Sequence, residues 1–312
     1  MKQTPINSGD PGDLTNKLKE CQVMKRLRHN NICRFKMNFN SPTDLCMIFE
    51  YCDRGDLENY LKNQKGFMLS DQRIKKFIVE ILLALEYLHS QSIIHRDVKP
   101  SNIFLKGKDY TIQLGDFGIA AQNDTGLRVV ENVGTLAYQA PEVLEGTDYD
   151  TRADIWSLGC VVYNMFSYDI PFSALSEERL VEKIRFFPHR QLDTKVPQEL
   201  RDLYEICMNK DYKKRPTAAD LLGLDLIQKW AKETNCMNHQ LLKCKGGAGP
   251  LGNKNKGQEA IDHYIAATKS ALAEIQSKQS AGKSTNQATS PNESKLTNSR
   301  DPRRTNQSVI HQ

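Results

Sequence analysis

A polar octapeptide set between two apolar runs constrains the fold of this chain more than any other feature. It spans His95 to Asn102 and reads His-Arg-Asp-Val-Lys-Pro-Ser-Asn. A polar surface turn does not explain why Asp97, Lys99 and Asn102 fall at these offsets inside apolar flanks. Transfer of a phosphoryl group to a hydroxyl needs an acceptor for the hydroxyl proton, a cation near the moving phosphate and oxygen ligands for magnesium. The three side chains offer these three functions within one loop.

A second motif follows fourteen residues after Asn102, where Asp116 stands in the run Leu-Gly-Asp-Phe-Gly-Ile-Ala. This Asp comes after an apolar strand and before a flexible Phe-Gly, which suits a hard carboxylate ligand of magnesium beside a hinge. Asp-Phe-Gly alone is a weak signal, because turns often contain Asp and Gly. In this order and at this distance from the octapeptide, it is a strong one.

Three further motifs identify the chain as a member of the eukaryotic-type protein kinase family. Ala-Pro-Glu ends at Glu142, Asp-Ile-Trp-Ser-Leu-Gly begins at Asp154, and Arg-Pro-Thr begins at Arg215. The resemblance covers about residues 2 to 230. It implies an α+β, bilobal protein-kinase-like fold with a mainly helical C-lobe, in which Glu142 and Arg215 form a buried ion pair.

The resemblance also implies the roles of the catalytic residues. Asp97 would accept the proton of the substrate hydroxyl, and Asn102 and Asp116 would hold Mg²⁺. Lys99, two residues after Asp97, is typical of kinases that phosphorylate serine and threonine. Thr135 supports the same branch, since a Thr at this position typically contacts the catalytic Asp and Lys. We therefore expect ATP and Mg²⁺ as cofactors and Ser/Thr residues of proteins as acceptors.

Within this branch, three stretches resemble the NIMA-related kinases. They run from Phe49 to Leu57, from Leu114 to Ala120 and from Val133 to Tyr138. The chain departs from that family at Leu136, where Pro is usual, and at Gln139-Ala140, where Met-Ser is usual. These departures leave the preference for substrate peptides open.

The resemblance places the nucleotide-binding residues in the first 56 positions. Phe49 would be the gatekeeper of the hinge, the backbone of Glu50 and Cys52 would face adenine, and Asp56 would lie near the ribose. The helix-C glutamate and its lysine partner are assigned by spacing. Glu20 lies nine residues before His29, as the helix-C Glu does in kinases, and Lys2 lies eighteen residues before Glu20. A Lys at position 2 also arises by chance, because Lys is common.

No glycine-rich phosphate loop precedes Lys2. We therefore expect an incomplete N-terminal β-lobe in residues 1–52: the end of a third strand at Met1-Lys2, helix C, two strands and the hinge. Two strands left open would expose an unpaired edge, so the chain as written is expected to be poorly active and prone to aggregate. A recorded start too far downstream explains this most simply. A pseudokinase acting as a binding module is the alternative, although the intact Asp97, Lys99, Asn102 and Asp116 favour a kinase.

Residues 53–230 are the expected C-lobe, and residues 231–312 the expected linker, helix and disordered tail. The linker signal is Gly-Gly-Ala-Gly-Pro at 246–250, the helix covers 260–276, and 281–312 is rich in Ser, Thr, Asn and Gln without an aromatic residue. We expect the tail to be dispensable for catalysis and to serve localisation or binding of protein partners. A solvated arm without a function is the open alternative.

The activation segment between Asp116 and Glu142 offers Thr125 and Thr135 for phosphorylation. Glu131 stands where the NIMA-related kinases commonly carry the phosphorylated Thr. Its carboxylate would pair with Arg96 permanently, so that the loop is ordered without phosphorylation there. A solvated Glu on a mobile loop is the alternative.

Bulk properties exclude several other function classes. The net charge of +5 is weak and mixed, which argues against nucleic acid as a partner. The most apolar stretch, Ile78 to Leu88, contains Glu80 and Glu86 and is far shorter than the roughly 20 residues that span a bilayer. The eight cysteines form no Cys-x-x-Cys pair and suggest buried, reduced thiols. We expect an intracellular protein, cytoplasmic or associated with the cytoskeleton, with the nucleus as an alternative.

Overall fold

The computed structural model describes residues 1–6, 11–64, 69–116 and 136–236, without the side chains of residues 11–13, 16 and 20. These residues all belong to one compact unit of the chain, Met1–Ala266. Within the described ranges, no helix is both long enough and apolar enough to cross a bilayer. The expected linker, helix and tail beyond residue 236 lie outside the described residues.

The small lobe contains, among the described residues, an antiparallel sheet of three strands and one helix. The elements are β1 (Lys2–Pro5), α1 (Pro11–Arg26), β2 (Phe35–Asn40) and β3 (Asp44–Phe49). The strand order β1-β3-β2 makes β3 the central strand, with Lys2 opposite Met47 and Phe35 opposite Phe49. Helix α1 buries Cys21 and Met24, which lie on one face at helical spacing.

Two expectations for this sheet need correction. The strand at the start of the chain begins at Lys2 and continues to Pro5, whereas the sequence had predicted a strand ending at Met1-Lys2. Two open strands were also expected, but β1 pairs along one side of β3 and leaves β1 and β2 as the edges. Pro5 is compatible with this because an edge strand needs donors on only one side.

The larger lobe begins with α2 (Leu57–Asn63) and the long helix α3 (Asp71–Ser90). The side chain of Ser70 accepts a hydrogen bond from the backbone N–H of Arg73 and so caps α3. The apolar stripe of α3, from Ile74 to Leu88, is buried. A hairpin of β4 (Ile103–Lys106) and β5 (Thr111–Leu114) then follows, and it carries the two predicted catalytic segments at its ends.

The remaining described elements are helical. They are α4 (Pro141–Leu144), α5 (Arg152–Ser167), α6 (Glu177–Phe186), α7 (Gln198–Cys207), α8 (Ala218–Gly223) and α9 (Asp225–Glu233). Trp156, Tyr204 and Trp230 are among the largest fully buried side chains. Helices α5 and α7 approach closely at Gly159, where an added Cβ would lie 2.8 Å from Met208 Sδ and 2.9 Å from Cys207 Cβ. The expectation of a mainly helical C-lobe is therefore confirmed.

Candidate active site

The loop between α3 and β4 is held by a buried carboxylate of α5. Asp154 accepts hydrogen bonds from the backbone N–H of His95 through Oδ2 and of Arg96 through Oδ1, both at 2.9 Å. The His89 Nε2 atom lies 2.8 Å from the same Oδ2. Arg96 has a φ of 68°, in the left-handed region that residues other than glycine rarely adopt. The two backbone bonds to Asp154 stabilise this turn and set the direction of the residues that follow.

Burial governs the charges beneath the loop. Burial alone would raise the pKa of the Asp154 carboxyl, but the hydrogen bond from His89 and its charge outweigh it, so that the pKa lies below its ordinary value. Burial also lowers the pKa of His95, which keeps this ring neutral near pH 7. The backbone N–H of Asp97 donates to His95 Nδ1 at 3.3 Å, so the ring proton resides on Nε2, 3.1 Å from the carbonyl oxygen of Gly115. His95 thus joins the loop to the segment that carries Asp116.

The three predicted residues of the loop lie together. The Lys99 ammonium is 2.9 Å from Asp97 Oδ2, and both side chains are less than one-fifth exposed, at 19% and 18%. The Asn102 amide donates to the same Oδ2 at 2.8 Å and to the backbone carbonyl of Asp97 at 2.9 Å. Both bonds use the amide NH₂ of Asn102, so neither occupies the amide oxygen.

Asp116 follows β5 and lies beside this loop. The backbone N–H of Gly115 donates to the carbonyl oxygen of Asn102 at 3.0 Å, which ties the two segments together. Asp116 has a φ of 57° and forms an ion pair with the ammonium of Lys2. Lys2, at the start of β1, and Asp116, directly after β5, are 114 residues apart in sequence and are joined by this ion pair. Each of the two acids, Asp97 and Asp116, has its own lysine partner.

The predicted hinge follows β3. Phe49 packs edge-to-face on Phe35, with ring centroids 5.5 Å apart. The backbone N–H of Glu50 donates to the carbonyl oxygen of Arg34 at 2.8 Å, and the carbonyl oxygen of Glu50 lies 3.7 Å from the Cys33 sulfur. The Glu50 carboxylate accepts from Lys106 at 2.6 Å, and this hydrogen bond lowers the pKa of Glu50.

Asp56 is both a predicted ribose contact and a helix cap. Its Oδ1 accepts from the backbone N–H of Asn59 and its Oδ2 from the Asn59 amide, each at 2.8 Å, at the start of α2. Each carboxylate oxygen has a second lone pair, so the cap leaves Asp56 able to accept further hydrogen bonds.

Some predicted residues cannot be placed. Thr125, Glu131 and Thr135 lie outside the described residues, and Glu20 lies within α1 with its side chain outside them. Sequence reasoning missed two partners of the site, His89 under the loop and Lys106 beside the hinge. Neither has a motif of its own, since each is an ordinary polar residue at the end of a helix or strand.

Elsewhere in the larger lobe, the predicted ion pair of Glu142 and Arg215 is confirmed. Arg215 Nη2 lies 2.5 Å from Glu142 Oε2, and the side chains are 0% and 5% exposed. The seven described cysteines are free thiols, as predicted. Five are buried, and Cys52 and Cys236 are partly exposed.

Comparison with known proteins supplies a family context. The model of the protein kinase domain matches residues 1–227. Serine/threonine-protein kinase Nek11 of Mus musculus is 31% identical over 276 residues, which are 87% of this chain and 42% of that relative. Serine/threonine-protein kinase Nek1 of the same organism is 34% identical over 212 residues, 68% of this chain and 18% of that relative. A probable serine/threonine-protein kinase nek2 of Dictyostelium discoideum is 33% identical over 222 residues and is matched over 53% of its length. The chain thus spans about half or less of these relatives.

Proposed function

Since the chain belongs to the protein kinase domain family, we propose that it transfers the γ-phosphoryl group of ATP to serine and threonine hydroxyls of protein substrates. One observation carries the proposal: the Asp97 carboxylate is held by Lys99 and Asn102 on a loop that Asp154 anchors. The relatives support it, because all are named as serine/threonine kinases and resemble this chain at 29% to 34% identity. The resemblance to the NIMA-related kinases, predicted from three stretches of the sequence, agrees with these names.

Asp97 acts as the proton acceptor in this proposal. Its Oδ2 is oriented by the Asn102 amide and by the Lys99 ammonium, so the carboxylate needs no rearrangement when a hydroxyl approaches. Lys99 also places a positive charge next to the reacting group, where negative charge on the transferred phosphoryl group must be balanced. Thr135, outside the described residues, is proposed to contact both side chains.

The residues of the site fit a magnesium ion. Asp116 supplies a carboxylate and Asn102 an amide oxygen, on two segments joined by the Gly115–Asn102 backbone bond. These are hard oxygen donors of the kind that Mg²⁺ prefers. When bound, the ion neutralises the charge of the nucleotide phosphates. Lys2, paired with Asp116, is proposed to bind the same phosphates, with Glu20 as its partner from α1.

The nucleotide base and sugar are assigned to the hinge. The Glu50 carbonyl and the Cys52 backbone are proposed to bind adenine beside Phe49, and Asp56 is proposed to bind the ribose. The bond between the Glu50 N–H and the Arg34 carbonyl supports this, because it fixes the backbone at the point where the hinge leaves β3. Binding of protein partners by the tail and an intracellular, cytoplasmic or cytoskeletal location stay predictions.

A noncatalytic scaffold is the less supported alternative. Such a module has no chemical need for Asp97, Lys99, Asn102 and Asp116 together, nor for the ion pair that brings Lys2 to Asp116. Catalysis uses all of these groups.

The test compares the wild-type chain with Asp97→Asn, using ATP labelled at the γ-phosphate and a mixed protein substrate. We expect label on serine and threonine, and a kcat lowered by roughly 10²–10⁴-fold in Asp97→Asn with the fold and the nucleotide affinity retained. Asp109→Asn, at an exposed position of the β4–β5 turn, is the matched control and should keep the wild-type rate. Equal rates in wild type and Asp97→Asn, or label on tyrosine alone, would reject the assignment.

A further inference from the structure

Two cysteines from different segments meet at the hinge. Cys33 precedes β2 and is buried, and Cys52 follows β3 and is partly exposed. Both sulfurs approach one carbonyl oxygen, that of Glu50, at 3.7 Å from Cys33 Sγ and 4.0 Å from Cys52 Sγ. Each thiol also affects the pKa of the other. The pair is thus gathered around the carbonyl to which we assign adenine binding.

The pair is also connected to the other wall of the site. The Cys33 backbone N–H donates to the carbonyl oxygen of Leu114 at 2.8 Å, directly before the segment that carries Asp116. A Cβ added at Gly115 would lie 3.1 Å from Cys33 Cβ. Cys33 is therefore tied to the segment before Asp116, whereas Cys52 belongs to the hinge.

The two thiols differ in acidity in a way that suits stepwise oxidation. The hydrogen bond with Cys33 lowers the pKa of Cys52, and the nearby Lys106 ammonium lowers it further against the opposing effect of burial. The same hydrogen bond and burial raise the pKa of Cys33. The exposed member is therefore the better thiolate nucleophile, and the buried member stays a protonated thiol.

We propose that Cys33 and Cys52 form a modification site at which a hydroperoxide produces a disulfide, and that this bond prevents nucleotide binding at the hinge. The second half rests on the proposed function. In the first step the Cys52 thiolate attacks one oxygen of hydrogen peroxide, the O–O bond breaks, and hydroxide leaves with Cys52 as a sulfenic acid. In the second step the Cys33 sulfur attacks the Cys52 sulfur, and the S–O bond breaks with loss of a second hydroxide. The two hydroxides take up the two thiol protons and become water. Two thiols and one peroxide thus give one disulfide and two waters.

Formation of the disulfide moves the hinge, because the two sulfurs must come closer together. A disulfide brings the sulfurs to about 2.0 Å and imposes a fixed dihedral on them. In the reduced state the Glu50 carbonyl oxygen contacts both sulfurs. Because Cys33 is held by Leu114, the hinge side moves, and the backbone of Glu50 and Cys52 leaves the positions that we assign to adenine.

Peptide mapping of the full chain tests the bond itself. The chain is treated with one equivalent of hydrogen peroxide, its remaining thiols are alkylated, and tryptic peptides are fragmented in a mass spectrometer. We expect the peptide 29–34 joined to the peptide 37–54, a link that reducing agent removes. The peptide 37–54 contains Cys46 as well as Cys52, so fragmentation has to assign the bond to Cys52. A bond to Cys46, or oxidation of Cys52 without a bond, would overturn the proposal.

Nucleotide affinity tests the consequence. Peroxide should weaken binding of a fluorescent ATP analogue by about tenfold or more, as expected when one or two hinge hydrogen bonds are lost, and reducing agent should restore it. Cys33→Ser and Cys33→Ala should bind the analogue equally well before and after peroxide. Cys236→Ser, at the other partly exposed cysteine of the described residues, should respond like wild type. Loss of affinity in both Cys33 variants would overturn the proposal. A reduced wild-type chain that binds no nucleotide would contradict the proposed function, while the peptide map would still decide the bond.

Discussion

Glu142 and Arg215, 73 residues apart in sequence, form an ion pair in the interior of the larger lobe with a distance of 2.5 Å between Oε2 and Nη2. Arg215 also donates to the backbone carbonyls of Asn209 and Arg152, at 2.8 and 2.7 Å. One guanidinium therefore connects α4, the start of α5 and the segment before α8. A buried charge with several partners is costly to leave unpaired.

We expect Arg215→Met to lower the free energy of unfolding by about 3–5 kcal/mol, because it leaves the Glu142 carboxylate buried without its partner. Denaturant unfolding followed by circular dichroism measures this. Arg190→Met is the control, since its pair with Asp169 is 47% and 55% exposed and is expected to contribute about 1 kcal/mol or less. Similar losses in the two variants would contradict the distinction between buried and exposed pairs.

Gly159 gives a prediction that depends on steric crowding and not on charge. Gly159→Ala should destabilise the fold by about 1–3 kcal/mol, because the added methyl group overlaps Met208 and Cys207 in α7 and its neighbouring turn. Without this overlap, replacing a helical glycine by alanine stabilises. Gly223→Ala, at the exposed last residue of α8, is the matched control and should not share the loss. Thermal unfolding of both variants separates the effects, and a gain in stability for Gly159→Ala would show that α5 and α7 can move apart.

The sequence predicted those parts of the site whose residues lie close together along the chain. Asp97, Lys99 and Asn102 lie within six residues, so their spacing alone carries the chemical pattern, and the structure places them in contact. The ion pair of Lys2 with Asp116 was not predicted: family spacing assigned Lys2 to Glu20, and residues 114 apart share no local pattern.

The parts that sequence missed depend on contacts made only by the fold. Nothing near His89 or Lys106 indicates their partners, Asp154 and Glu50, which lie 65 and 56 residues away. The bounds of β2 depend on the fold for a related reason. It begins at Phe35 and not at the apolar Ile32, because the backbone N–H of Cys33 bonds to Leu114 in the larger lobe and not to β3.

Asp154 provides a test of how the catalytic loop is held. Asp154→Asn replaces one of two acceptor oxygens by an NH₂ group that faces the backbone N–H of His95 or Arg96. We expect a loss of about 1–3 kcal/mol in the free energy of unfolding, since a buried donor then lacks an acceptor. We also expect kcat to fall more than KM changes, because Asp97 is displaced while the hinge is untouched. Asp150→Asn, a more exposed carboxylate paired with Arg152, is the control. A fall confined to nucleotide affinity would speak against this role.

The buried pair of His189 and Glu205 predicts how stability depends on pH. Their Nε2 and Oε2 atoms are 3.5 Å apart. Burial raises the pKa of Glu205 from its ordinary value of 4.5 to about 7, and burial lowers the pKa of His189 from 6.5 to about 4. Both side chains are therefore favoured as neutral groups in the folded protein.

The sign follows for each group separately. The folded protein binds the Glu205 proton more tightly, so this contribution to stability is fully present below pH 4.5 and is lost as the pH rises through about 7. The folded protein binds the His189 proton less tightly than the unfolded chain does. The free energy of unfolding therefore begins to fall as the pH drops below 6.5, and this loss is complete below about pH 4. Between these limits the two effects oppose each other, and the wild-type protein responds weakly.

Glu205→Gln removes one of the two opposing effects. Relative to wild type it should be more stable by about 1–3 kcal/mol at pH 8, where wild type carries a buried carboxylate, and this advantage should shrink steadily toward pH 5. His189→Gln should show its own advantage at pH 5 and lose it toward pH 8. Glu233→Gln, at the exposed end of α9, is the control and should differ from wild type by an amount that is independent of pH. Denaturant midpoints at pH 5, 6, 7 and 8 measure all four proteins. A difference between Glu205→Gln and wild type that stays constant over this range would mean that Glu205 is ionised in the fold at pH 5, as the partner of a charged His189.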